Sequence, residues 1–195
     1  NMTGREVAER ILSANGIYDV SVRPVSGRLT DHYDPRDKTV SLSEVIYNST
    51  SVAAVAVAAH ECGHAIQDNV GYVPLNLRSA FVPVANWGSR LSWPIICIGF
   101  LLGYGNMSNI FIQIGIGMFL LAVIFQIITL PVEFDASRRA LIELENNEIL
   151  FDREDKSARK VLFAAAMTYV AAAATGVLQM LRLMLLFSGR SRRRN

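Results

Sequence analysis

The hydrophobic pattern changes character several times along this chain. Near the start, apolar positions recur at helical spacing. Val7, Ile11 and Leu12 share one face, Thr3 and Glu6 form a capping box, and Gly16 closes the helix. Tyr18 to Val25 then alternates with the period of a strand and ends in the turn pair Ser26-Gly27. A second turn signal, Asp34-Pro35-Arg36-Asp37, precedes Thr39-Val40-Ser41-Leu42. These segments predict a small antiparallel sheet of two or three strands. Such a sheet either completes a core or offers an edge to which an extended peptide adds as a further strand.

Ser51 to Asp68 reads as a helix. It opens with Val52-Ala53-Ala54-Val55-Ala56-Val57-Ala58-Ala59, apolar on every side, so it is buried and does not lie on a surface. Its apolar run is shorter than the ~20 residues that cross a bilayer. From Leu91 to Val132 there is no Asp, Glu, Lys, Arg or His. That stretch has room for two spans of about 20 residues each, with Gly103-Tyr104-Gly105-Asn106 as the turn. A helical hairpin is therefore predicted, over roughly 82–104 and 107–131. Leu130-Pro131-Val132-Glu133 marks its exit, and Phe134 to Asn146 continues as an amphipathic helix. A hairpin returns the chain to the side it left, so Glu133 and the Ser51–Asp68 helix are expected on one side of the membrane.

Composition supports placing part of the chain in lipid. Of 195 residues 51% are hydrophobic, and mean hydropathy is positive where soluble domains average below zero. The length suits one domain better than two. Net charge is only +2, but its distribution is informative. Lys and Arg are scattered from Arg5 to Arg90 and from Arg138 to Lys160, and they close the chain as Arg190, Arg192, Arg193 and Arg194. The positive-inside rule thus puts the polar segments in the cytoplasm. Val161 to Phe187 is again long and apolar, alanine-rich, with Arg182 near its end. It is either a third span or a helix packed on the polar part. A full span would put the Arg190 to Arg194 cluster outside, against the same rule. Cys62 and Cys97 are far apart and form no CxxC, so neither a structural disulfide nor a cysteine zinc site is expected, which fits a reducing compartment. Asn1-Met2-Thr3 opens no signal peptide. The first residues already read as a helix start, which points to a segment upstream. There is no internal repeat and no low-complexity linker.

The chemistry-bearing residues are His60-Glu61-Cys62-Gly63-His64, an H-E-x-x-H motif on the buried helix. Positions i and i+4 share a helix face, so both imidazoles can converge on one metal ion. Glu61, one residue along, stands beside that ion as the candidate catalytic base. Two histidines and a glutamate within an apolar helix need a strong partner to offset desolvation, and Zn2+ supplies one. The competing account is a pair of hydrogen-bonded core histidines. A catalytic zinc takes three protein ligands and leaves a fourth position for water. His32 is the remaining histidine, and Glu133, returned by the hairpin, is the better candidate. The alternative for Glu133 is an acidic residue facing plain solvent at the membrane exit.

The stretches SVAAVAVAAHECGHAIQDNVG at 51–71, LPVEFDASRRAL at 130–141, ARKVLFAAAMTYVAAA at 158–173 and TDHYDPRDKTVSLSEVIY at 30–47 closely resemble the YugP-like neutral zinc metallopeptidases of bacterial membranes. The resemblance covers nearly the whole chain. Members of that family usually begin with a further N-terminal membrane helix, which this sequence lacks. The chain is also similar, more distantly, to HtpX-like membrane proteases, which carry H-E-x-x-H plus a third glutamate in an E-x-x-x-D pattern on a later helix. That resemblance makes Glu133 the third ligand. Ser137 fills the aspartate position, a departure that weakens any supporting role for residue 137.

Three further sets of residues have competing readings, and Cys62 has one. His32 either stabilises an oxyanion or caps a turn. Tyr169 is either an oxyanion donor or a core aromatic. Arg138 and Arg139 anchor a substrate terminus or the membrane surface, or are simply solvated. Cys62 lies on a different helix face from the imidazoles and reads as a small core residue.

The expected fold is mainly α with a small antiparallel β-sheet, a zincin-like (gluzincin) catalytic unit on a transmembrane helix bundle. Residues 1–81 form the catalytic part with the H-E-x-x-H helix at 51–68, and 82–131 the transmembrane hairpin. Residues 132–160 carry the third ligand, 161–187 form the further apolar helix, and 188–195 are a basic tail. The expected function is a membrane-embedded zinc-dependent endopeptidase, with Glu61 as base and His60, His64 and Glu133 on the metal. Its partners are a polypeptide substrate and the lipid bilayer, with no nucleic acid. It would be a multi-pass cell-membrane protein with its site facing the cytoplasm. The rivals are a zinc hydrolase of a non-peptide amide or ester, and a non-catalytic metal-stabilised membrane scaffold.

Overall fold

Thr3 starts the first helix, α1 (Gly4–Ala14), with both halves of a capping box: its hydroxyl accepts from the Glu6 amide, and its own amide donates to the Glu6 carboxylate. This is a computed structural model that describes residues 2–103, 105–151 and 153–192, and of 153 and 188–192 the backbone only. Tyr104 of the expected turn lies outside the described residues, as do Arg193 and Arg194 of the basic tail.

Three strands follow: β1 (Ser21–Val25), β2 (His32–Asp34) and β3 (Thr39–Ser43), in the spatial order β1-β3-β2. β2 and β3 pair antiparallel, His32 opposite Ser41. The Asp34 carboxylate accepts from the Arg36 amide in the turn between them. β1, however, pairs with β3 in parallel, Ser21 opposite Thr39. The sheet is therefore mixed, a correction to the antiparallel sheet expected from alternation. The reason is burial. β3 is buried at all five positions, so it takes the centre. The segment 26–31 carries the chain past it to the far edge. There Asp31 accepts hydrogen bonds from the Ser43 amide and hydroxyl at 2.7 and 3.0 Å, pinning the crossover. Pro24, which cannot donate to a ladder, is tolerated because β1 is an edge strand.

The short α2 (Glu44–Asn48) leads into α3 (Val52–Asn69), capped by the Ser51 hydroxyl on the Ala54 amide. Three long helices complete the chain: α4 (Val73–Leu101), α5 (Asn106–Asn146) and α6 (Arg153–Arg192). The chain divides into two compact units, Asn1–Asn76 with Pro131–Thr168, and Leu77–Leu130 with Tyr169–Asn195.

In the first unit, α1 packs Val7, Ile11 and Leu12 against α3, together with Val40 and Leu42 of β3 and Leu144 of α5. Each such side chain contributes about 1.5–3 kcal/mol on burial. The sheet is tied to the end of α3 by Tyr33 and Lys38, both of which donate to the Asp68 carboxylate.

The second unit has an apolar exterior. Trp87, Phe100, Leu101, Leu178 and Leu185 are all exposed, the reverse of a soluble bundle. Within it α4 and α5 lie close together, since the Ser108 hydroxyl donates to the Gly99 carbonyl at 2.6 Å. Among the described residues two helices are long and apolar enough to cross a membrane, α5 and the Glu154–Phe187 stretch of α6. α4 starts earlier than the first hairpin arm predicted from sequence and carries Pro83 and Pro94 inside it.

Candidate metal centre

α3 presents two imidazoles one turn apart. The rings of His60 and His64 stand edge to face, their centroids 4.8 Å from each other. α5 brings Glu133 up to them. Its side chain is only 2% exposed, and Oε2 lies 3.3 Å from His60 Nε2 and 3.7 Å from His64 Nε2. One atom from each of these three residues falls within 4.8 Å of the others. The approach depends on Gly63, between the histidines. A Cβ there would collide with the carbonyl oxygen of Ala136 on α5. Gly63 thus lets the two backbones come close enough for a glutamate to reach both rings.

The donor set fits zinc. Two imidazoles and one carboxylate, with a position left for water, make the ligand set of many catalytic zinc sites. Zinc bonds of about 2.0–2.1 Å in tetrahedral arrangement separate neighbouring ligand atoms by about 3.4 Å. The two carboxylate–imidazole separations, 3.3 and 3.7 Å, are on that scale. Burial alone would raise the Glu133 carboxyl. The hydrogen bond from His60 and the nearness of the two imidazoles outweigh it and hold the group well below the usual carboxylate range. Glu133, beyond the apolar part of α5, is therefore ionised at neutral pH, as a metal ligand must be.

Behind the rings, each Nδ1 has a partner. His60 Nδ1 lies 3.2 Å from the Ser137 hydroxyl, and His64 Nδ1 lies 3.0 Å from Gln67 Oε1. Both contacts are of the kind that orients metal-binding histidines. Ser137 thus supports His60 although it stands where an aspartate was expected, which corrects the reading that this departure weakens residue 137. One turn beyond Glu133, even a short hydroxyl reaches the ring. Gln67 escaped the sequence reading altogether. The available signal was its position three residues after His64, on the same helix face.

Gln67 Nε2 donates to the Val132 carbonyl at 2.8 Å and to Asp135 Oδ2 at 3.0 Å. Arg139 Nε donates to the same Asp135 oxygen at 2.6 Å. Burial raises the Asp135 carboxyl, but the Arg139 and Gln67 hydrogen bonds bring it net below its ordinary value. Arg139 also lies over the Tyr72 ring. It therefore braces the site rather than merely being solvated, whereas Arg138 is exposed and paired with Asp135 at 3.6 Å.

Glu61 follows His60 on α3, turned about 100° around the helix. It is buried without joining the ligand cluster. Cys62 is fully buried, and its thiol points to the Ala8 carbonyl. Burial, then Glu61 and Glu143, push that thiol up, so it stays protonated and is neither ligand nor nucleophile. His32 remains outside the cluster, exposed at the start of β2, its Nδ1 2.7 Å from the Thr30 carbonyl. Tyr169 falls in the second unit.

A family model described as "Putative neutral zinc metallopeptidase" matches residues 1–188. The chain is 46% identical over 185 residues to the "Putative membrane protease YugP" of Bacillus subtilis (strain 168), a match covering 95% of this chain and 80% of that protein. No solved structure matches.

Proposed function

The chain belongs to the putative neutral zinc metallopeptidase family, and from that premise we propose that it is a membrane-embedded zinc endopeptidase of the H-E-x-x-H plus glutamate (gluzincin) type. The observation that carries this reading is the convergence of His60, His64 and Glu133 from two helices on one small volume. These three residues would hold the metal through the imidazole Nε2 atoms and the carboxylate. Zinc, when bound there, polarises the scissile carbonyl and lowers the pKa of a water toward ~7. Glu61, next to His60, takes the proton from the attacking water and passes it to the departing amine nitrogen. Ser137 and Gln67 hold the two rings in place for this chemistry.

The membrane setting rests on three supports: the apolar exterior of the second unit, the two helices able to cross a bilayer, and a relative whose name describes a membrane protease. Glu133 comes three residues after Leu130, where the apolar run ends, so the chemistry lies near the lipid surface. The substrates are then membrane or membrane-proximal polypeptides. The Lys and Arg of the polar segments put the site in the cytoplasm in a multi-pass protein.

Glu61→Gln is the test. The variant in native membranes is expected to keep its zinc, to lose cleavage by about 10²–10⁴-fold, and to retain uncleaved polypeptides in a pull-down. Undiminished cleavage would remove Glu61 from the mechanism, and retention of the biological role without turnover would favour a scaffold.

A further inference from the structure

Gln67 is fully buried, and the proton transfers above make no direct use of it. Its surroundings fix which way its amide faces. Nε2 points at the Val132 carbonyl and the Asp135 carboxylate, 2.8 and 3.0 Å away. Both groups only accept hydrogen bonds, and Arg139 holds Asp135 in its charged form. A flipped amide would set its own oxygen against two acceptors. Oε1 must therefore face His64 Nδ1, at 3.0 Å. An amide oxygen only accepts, so Nδ1 must carry a hydrogen. In the neutral ring the lone pair is then on Nε2, which stands 3.7 Å from the Glu133 carboxylate, too far to be claimed by a hydrogen bond to it. A histidine free in water favours the opposite tautomer, with hydrogen on Nε2.

Ser137 cannot impose the same choice on His60, because a hydroxyl both donates and accepts. Gln67 also grips the carbonyl of Val132, the residue before Glu133. One amide thus selects the tautomer of a ligand on α3 and latches the segment of α5 that carries the third ligand.

We propose that Gln67 is a positioning residue that holds His64 in its metal-competent tautomer and locks Glu133 in register before any metal arrives. This rests on the reading of His60, His64 and Glu133 as zinc ligands. Both Asp135 and Arg139 act through Gln67, by fixing its orientation.

The test is ring-nitrogen NMR of the full chain, labelled at histidine, zinc-free and mildly alkaline. With three histidines in the sequence, the spectrum is readily assigned. The wild type is expected to show the His64 hydrogen on Nδ1. Gln67→Met should lose that preference and bind zinc about 10–100-fold more weakly in a chelator competition. A wild-type His64 with a bare Nδ1 would overturn the proposal, whether or not the variant folds. So would wild-type zinc affinity in Gln67→Met. The zinc-free spectrum needs neither metal nor turnover. A protein that bound no zinc would therefore sink the protease reading separately, while intact zinc binding and cleavage in Gln67→Met would sink only this inference.

Discussion

Gly63 shows how one missing methyl group can organise a site. In an exposed helix, Gly63→Ala would stabilise by about 1 kcal/mol through helix propensity. Here the new Cβ meets the Ala136 carbonyl oxygen, a backbone atom that cannot step aside. Overpacking of this kind costs about 1–3 kcal/mol and wins. Gly63→Ala is therefore expected to lower Tm and to weaken zinc binding by about tenfold or more, since it pushes Glu133 away from both rings. Equal zinc affinity in the two proteins would show that close helix approach does not set the site. At this scale the sequence is partly legible. The i, i+4 spacing is enough to place His60 and His64 on one face. Glu133 needed the hairpin and the family resemblance. Gln67 and Ser137 were only hinted at, by their spacing from His64 and Glu133, because their partners depend on how closely α5 approaches α3.

The starts of α1 and α3 follow from local chemistry, and strand direction does not. The capping box at Thr3 and the Ser51 cap start α1 and α3 as their sequences dictate. The alternating segments of the sheet carried no information on whether β1 runs parallel or antiparallel to β3. That was decided by the all-buried β3 claiming the centre and by Asp31 fastening the crossover to Ser43. Asp31→Ala leaves the Ser43 amide and hydroxyl without this acceptor. The cost expected is about 1–3 kcal/mol in the first unit, seen as a lowered Tm. An unchanged Tm would mean the crossover is held by something other than this carboxylate. Helix α5 shows a second limit of local reading. Pro131 has no N–H to give the Ile127 carbonyl, yet the helix runs on from Asn106 to Asn146. The proline therefore marks where the apolar run ends rather than where the helix does.

For the molecule as a whole, the uncharged run from Leu91 to Val132 was the plainest signal in the sequence, and the structure gives it an apolar exterior. The proposed membrane protease should stay with the bilayer through alkaline carbonate washing and leave it only in detergent. Release by carbonate would contradict insertion. A protease added from the outside of intact cells should spare the segments around His60 and Glu133, in keeping with a cytoplasmic site. The central claim is that one divalent ion is gripped by His60, His64 and Glu133, and metal analysis of the purified full chain tests it most directly. The wild type and Glu61→Gln should each carry about one zinc per chain, whereas His60→Ala, His64→Ala and Glu133→Ala should each lose most of it. Full zinc content in any of those three alanine variants would contradict the account.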